Sequence, residues 1–255
     1  MKNEWIDSLT RGLLEAHPLR EMFHLPVIFD LGAVFFFALT GALAGIRRGY
    51  DFIGMFIMAF VAGVGGALIR DGLFIQQGPP AVVLDGRYLV VVALACLAGM
   101  VIGGFIERFQ KVIAYIDALG LGAYAVVGVQ KALSANMSIP AAIMIGTINA
   151  VGGGLLRDII VRVEPLTLKP GQFYILAALL GCGLFVGLIL GTSLSASQSA
   201  LSAIAVTFVF RVLAIRFNWQ TRAVRPWFAG HGKETTMSSD ETRKQEQERD
   251  SKREE

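Results

Sequence analysis

The chain has little charge. Of its 255 residues only 17% are Asp, Glu, Lys or Arg, against about 25% in an ordinary soluble domain. Even this share is unevenly placed: 6 basic and 8 acidic residues lie from His231 onward, leaving 17 and 12 for residues 1–230. Cysteine is scarce too. Cys96 and Cys182 each lie inside an apolar run, with no CxxC and no histidine nearby, which excludes a disulfide scaffold and offers neither metal nor redox chemistry. Both read as small buried hydrophobes. The only histidines, His17, His24 and His231, fall outside the apolar runs, and no nucleophile–base set is visible. The expectation is therefore a protein that is not an enzyme and that carries no cofactor and no metal. The isoelectric point near 9.0 comes from basic residues that flank apolar runs and form no patch, so a nucleic-acid partner is not expected.

Apolar residues are abundant: 54% are hydrophobic and the mean hydropathy is +0.58. Windows long enough to cross a bilayer give seven spans, Val27–Ile46, Phe52–Phe74, Tyr88–Ile106, Ala114–Leu133, Ile139–Val161, Phe173–Gly191 and Ala200–Phe217. The predicted fold class is an all-α polytopic membrane protein. Residues 1–26 form an N-terminal extramembrane segment of mixed charge, which does not read as a cleavable signal peptide. In it Trp5, Leu9 and Leu13 recur at helical spacing, compatible with a surface helix or a frayed end. Residues 221–255 form a charged tail too polar to bury a core, expected to be disordered. Arg47, Arg48, Arg108, Lys111, Arg162, Lys169, Arg216, Arg222 and Arg225 gather on one side of the seven spans. On the other side Lys2, Arg11, Arg20, Arg87 and Lys131 are diluted by acidic residues. The positive-inside rule then places the N-terminus outside and the C-terminus in the cytoplasm.

The 29 glycines are part of a repeat. At an offset of 87, Asp30 recurs as Asp117, Ala38 as Ala125, Gly41 as Gly128 and Val64 as Val151. Gly65–Gly66 recurs as Gly152–Gly153, Leu68 as Leu155, and Arg70–Asp71 as Arg157–Asp158. The second span ends in VGGALIRD and the fifth in VGGGLLRD. The unit holds three spans, so its second copy enters the membrane from the opposite side. The result is an inverted 3+3 repeat, residues 27–111 and 112–195, with a seventh span at 196–220 standing outside it.

Gly63, Gly65 and Gly66, with Gly152, Gly153 and Gly154, either kink their helices and expose carbonyls to a central path or allow close helix packing. Contiguity favours the kink. Arg70, Asp71, Arg157 and Asp158 either line a pore or make structural ion pairs. Neighbours on a helix point about 100° apart, so each Arg is expected to pair with Asp30 or Asp117 and not with its own Asp. Thr40, Thr147 and Asn149 would add polar groups to a narrow route between spans 1, 2, 4 and 5. Lys131 is either a gate on that route or an interfacial anchor. GxxxG spacing at Gly99/Gly103 and at Gly183/Gly187/Gly191 marks the third and sixth spans for close packing.

The stretch from Asp30 to Arg47, then Gly65 to Asp71, with the copy Gly152 to Asp158, resembles the prokaryotic trimeric intracellular cation (TRIC) channels over residues 27–217. The resemblance implies seven transmembrane helices and a homotrimer. It implies one pore per protomer, lined by helices 2 and 5 kinked at Gly63–Gly66 and Gly152–Gly154. It also implies passage of monovalent cations, chiefly potassium with sodium as a second candidate, within membrane lipid. The Lys-Glu-Val triplet of the animal channels is absent. Related bacterial sequences have been labelled glycine transporters, so a secondary transporter of a small zwitterion such as glycine is the alternative.

Overall fold

The structure, a computed structural model, describes residues 22–106, 110–165, 167–168 and 173–219, with the side chains of residues 105, 106, 110 and 111 left undescribed. The surface helix or frayed end expected around Trp5–Leu13 and the charged tail expected at 221–255 lie outside the described residues, as do Lys2, Arg11, Arg20, Arg108, Lys169, Arg222 and Arg225. All described residues belong to one unit of the chain.

Among the described residues, seven helices are long and apolar enough to cross a membrane. They are α1 (Ile28–Arg47), α2 (Phe52–Ile69), α3 (Arg87–Ile106), α4 (Gln110–Ser134), α5 (Ile139–Ile160), α6 (Tyr174–Gly191) and α7 (Ala196–Arg216). A helix of about 20 residues spans about 30 Å, the thickness of the hydrocarbon core. Local chemistry starts several of them. The Asp51 carboxylate accepts from Gly54 N at 2.8 Å and caps α2. The Asp85 carboxylate accepts from Arg87 N at 2.9 Å ahead of α3. Pro140 sits in the first turn of α5, where its missing N–H costs nothing. Ser195 and Gln198 make a reciprocal capping box on α7. α3 turns Leu89, Val90, Leu94, Leu97 and Val101 outward, as expected of a helix facing lipid.

The packing follows the repeat. α1 packs on α2 and α3, and α4 packs on α5 and α6 in the same way. The halves meet through two self-pairings, α1 on α4 and α2 on α5. α7 breaks the symmetry by packing on α4 and α6 alone among its principal contacts. The two GxxxG stripes also part company. Gly99 lies against Ala42 and Gly103 against Ile46 of α1, whereas Gly183, Gly187 and Gly191 meet open space among the described residues. Cys96 and Cys182 are buried free thiols.

α2 does not stop at Ile69. It continues as a π-helical turn, Arg70–Ile75, in which Gln76 N donates to Asp71 O at 2.9 Å, until Gln76 takes a left-handed conformation. In α5 the equivalent Arg157 and Asp158 lie in ordinary α-helix that ends at Ile160.

Candidate functional site

The two glycine runs meet at the centre of the bundle. The backbone stays α-helical through Gly63, Gly65 and Gly66 and through Gly152, Gly153 and Gly154. In α2 and α5, α geometry is lost only at the π turn, one helical turn after the glycines. The glycines serve close approach. A Cβ on Gly66 would collide with the Asn149 carbonyl oxygen, and one on Gly153 with the Ala62 carbonyl oxygen. Since 62 and 149, like 66 and 153, are 87 apart, this crossing obeys the pseudo-two-fold. A Cβ on Gly152 would stand 3.1 Å from Gly66 Cα, and one on Gly65 would meet only the end of the Leu156 side chain. The carbonyl of Gly63 also accepts a hydrogen bond from the Tyr124 hydroxyl of α4. Beside it, Asn149 donates from Nδ2 to Tyr124 O at 2.8 Å and keeps a buried, unpartnered Oδ1. The Tyr124 ring stacks on Phe37, its repeat counterpart, at 5.4 Å.

A charged cluster lies towards each end. At one end Arg157, 6% exposed, is fully engaged. Its Nη1 donates to Asp117 Oδ1 at 2.9 Å and to Thr40 Oγ1 at 2.8 Å, and its Nε donates to Asp158 Oδ1 at 2.9 Å. Tyr174 of α6 adjoins Asp117 and Arg157, and Arg211 of α7 lies 4.8 Å over the Tyr174 ring. Arg211, Arg157, Asp117 and Asp158 thus bring two charges of each sign into an apolar bundle, where unpaired charge is costly.

The other end is open. Arg70, 1% exposed, donates among the described residues to Asp71 alone, from Nε at 2.6 Å and from Nη2 at 3.0 Å, and its buried Nη1 has no hydrogen-bond partner among them. Asp30 receives the Tyr88 hydroxyl on Oδ2 at 2.6 Å. The same oxygen lies 3.9 Å from Lys131 Nζ, beyond hydrogen-bond reach. Asp30 Oδ1 is buried and has no hydrogen-bond partner among the described residues. A cavity of about 330 Å³ opens here, lined in part by His24, Asp30, Val127, Gln130 and Lys131.

The expected pairing of Arg157 with Asp117 is present, and Arg70 interacts electrostatically with Asp30 without a hydrogen bond between them among the described residues. The expectation that an arginine would not pair with its own aspartate is overturned in both halves. The long guanidinium stem folds back along the helix far enough to offset the angle between neighbours. Thr147 stays apart from both clusters: it donates to Ile143 O at 2.8 Å and touches Cys182 of α6 at 3.7 Å. Tyr88, Tyr124, Tyr174 and Arg211 carry polar chemistry that the sequence analysis passed over. Tyr88 and Tyr174 are repeat partners at an offset of 86, one residue out of step with the motif. Arg211 announced itself as the lone charge in FVFRVLAI.

A family model described as "Glycine transporter" matches residues 27–103 and 114–190, two stretches whose starts lie 87 residues apart. The chain belongs to the TRIC/UPF0126 family. Among its relatives, a UPF0126 membrane protein of Deinococcus radiodurans is 33% identical over 67% of this chain and 78% of the relative. The UPF0126 inner membrane protein YadS of Escherichia coli is 29% identical over 74% of this chain and 91% of that protein. The fold matches the solved TRIC trimeric intracellular cation channel orthologue from Rhodobacter sphaeroides with a TM-score of 0.70 and 28% identity. That match covers 75% of this chain and 97% of the other. This TRIC family member is a multi-pass membrane protein of seven helices in an inverted repeat.

Proposed function

We propose that this chain is a potassium-permeable channel, a homotrimer in a bacterial inner membrane with one pore per protomer between α2 and α5. The observation that carries the reading is a line of buried polar groups through an otherwise apolar bundle. It runs from Asp30, Tyr88 and Arg70, past the Tyr124 hydroxyl, the Gly63 carbonyl and Asn149, to Thr40, Arg157 and Asp117. Polar groups at membrane depth are expensive and face pathways. The glycine crossing of α2 on α5 is the constriction of this route, and bending at Gly63–Gly66 and Gly152–Gly154 would part the two helices. Lys131, 35% exposed at the open end, would repel cations until it moves aside, a step the membrane potential favours by about 2.3 kcal/mol per full charge per 100 mV. The solved neighbour's description as a trimeric cation channel supports the same reading. In this arrangement the N-terminus faces outward and the C-terminus faces the cytoplasm.

The test is purified protein in planar bilayers. Discrete single-channel currents selective for potassium over chloride are expected, and slow saturable flux alone would overturn the channel. A second reading, a carrier of a small zwitterion such as glycine, is favoured by the contrast between one closed and one open end and by the name of the family model. Counterflow of labelled glycine into proteoliposomes would select it.

A further inference from the structure

The two ends of the bundle hold the same parts with one bond missing. At the closed end Arg157 sets Nε and Nη2 on Asp158, both at 2.9 Å, and Nη1 on Asp117 Oδ1, also at 2.9 Å. At the open end Arg70 sets the same two nitrogens, Nε and Nη2, on Asp71. Its Nη1 is buried with no hydrogen-bond partner among the described residues, and so is Asp30 Oδ1. These two atoms are the repeat mates of the pair that is bonded at the closed end. The rest of the set is already in place. Tyr88 donates to the other Asp30 oxygen, as Tyr174 adjoins Asp117, and Arg70 interacts electrostatically with Asp30. A bare donor and a bare acceptor in buried places are each costly, and one hydrogen bond between them would satisfy both.

Two differences accompany the missing bond. Arg70 opens a π turn, whereas Arg157 stands in α-helix. Thr40, which accepts from Arg157 Nη1, has Val127 as its repeat mate, and a valine side chain accepts nothing. The closed end shows that an arginine at this position can bond both aspartates at once, so the missing bond can be added without giving up Asp71. We propose that Arg70 is a latch for the open end. It alternates between the observed state, hydrogen-bonded to Asp71, and a latched state in which Nη1 also donates to Asp30 Oδ1 and ties the end of α2 to α1. Arg157 ties α5 to α4 in that way. Asp30 lines the cavity at this end, so latching draws α2 in beside the mouth and unlatching frees it. The latch works alike in a channel and in a carrier.

The experiment measures the distance between spin labels on Ile28→Cys of α1 and Leu73→Cys at the end of α2, both exposed positions. The full-length chain is used in nanodiscs, with Cys96→Ala and Cys182→Ala, and labelled chains are diluted among unlabelled ones. Two distances are expected. Val127→Thr supplies the missing acceptor and should raise the population at the shorter distance at least threefold, whereas Val127→Ala should not. Asp30→Leu removes the carboxylate and should abolish the shorter distance. If Asp30→Leu fails to fold, the contrast between Val127→Thr and Val127→Ala still decides. The proposal is overturned if the shorter distance persists in Asp30→Leu, or if Val127→Thr leaves the distribution as Val127→Ala does. Potassium currents report on the channel reading alone, so the two can fail separately.

Discussion

At one end of the bundle Arg157 ties α5 to α4 and α1 through Asp117 and Thr40. At the other, its repeat partner Arg70 makes its hydrogen bonds, among the described residues, to its own neighbour Asp71. Between them, the crossing of α2 and α5 obeys the pseudo-two-fold, with Gly66 against Asn149 and Gly153 against Ala62. Duplication has thus preserved the backbone contact at the centre, while a few side chains have driven the two ends apart. Thr40, which completes the closed cluster, has Val127 as its counterpart, so Arg70 finds no hydroxyl there. Lys131 has Ala44 as its counterpart, so the open end's second cation has no partner in the first repeat. Arg211 of α7, outside the repeat, restores a second cation to the closed end.

The comparison breaks most directly at the arginines. Arg157→Gln leaves two buried aspartates without their cation and should cost about 3–5 kcal/mol, whereas Arg70→Gln should cost about 1–3 kcal/mol. Chemical unfolding in detergent would measure both, and equal losses would remove the distinction between a closed and an open end. Thr40→Val takes a hydroxyl from a charged donor and should cost about 1.5–3 kcal/mol. The mirror substitution Val127→Thr should instead be neutral or stabilising in the same assay. At the centre, Gly66→Ala and Gly153→Ala push a methyl into backbone oxygen and should each cost about 1–3 kcal/mol. These two losses should match each other, and Gly65→Ala, whose methyl meets the movable end of Leu156 and no backbone, should cost less than either; unequal losses at 66 and 153 would show that the centre too has diverged. Tyr124→Phe removes one hydrogen bond and should cost about 0.5–1.5 kcal/mol, read as a shift in unfolding midpoint. Phe37→Tyr should yield no matching gain.

The seven spans and the repeat were legible because long apolar runs and a gapless offset of 87 survive any side-chain detail. The Asp117–Arg157 pair was legible for the same reason. Residue type alone left the glycine runs open, since a missing side chain both loosens a helix and lets another helix come close. Only the neighbour at Asn149 and Ala62 shows the second use. Tyr88 and Tyr174 escaped because a one-residue shift takes them off the offset. The pairing of Arg70 with Asp71 escaped because neighbour angles describe Cβ directions and not the reach of a guanidinium. The contrast between the ends depends on Thr40 facing an arginine from the other half, a contact between residues 117 positions apart that no local pattern announces.

The π turn at Arg70–Ile75 has a mechanical meaning. A π turn holds one residue more than an α turn, which amounts to slack wound into the end of α2. If that surplus residue migrates along the helix, the segment it passes rotates by about 100° and advances by about 1.5 Å, with the hydrogen-bond ladder re-forming behind it. Arg70 stands at the first position of that slack. Such a migration would turn the charged end of α2 relative to its glycine crossing with α5.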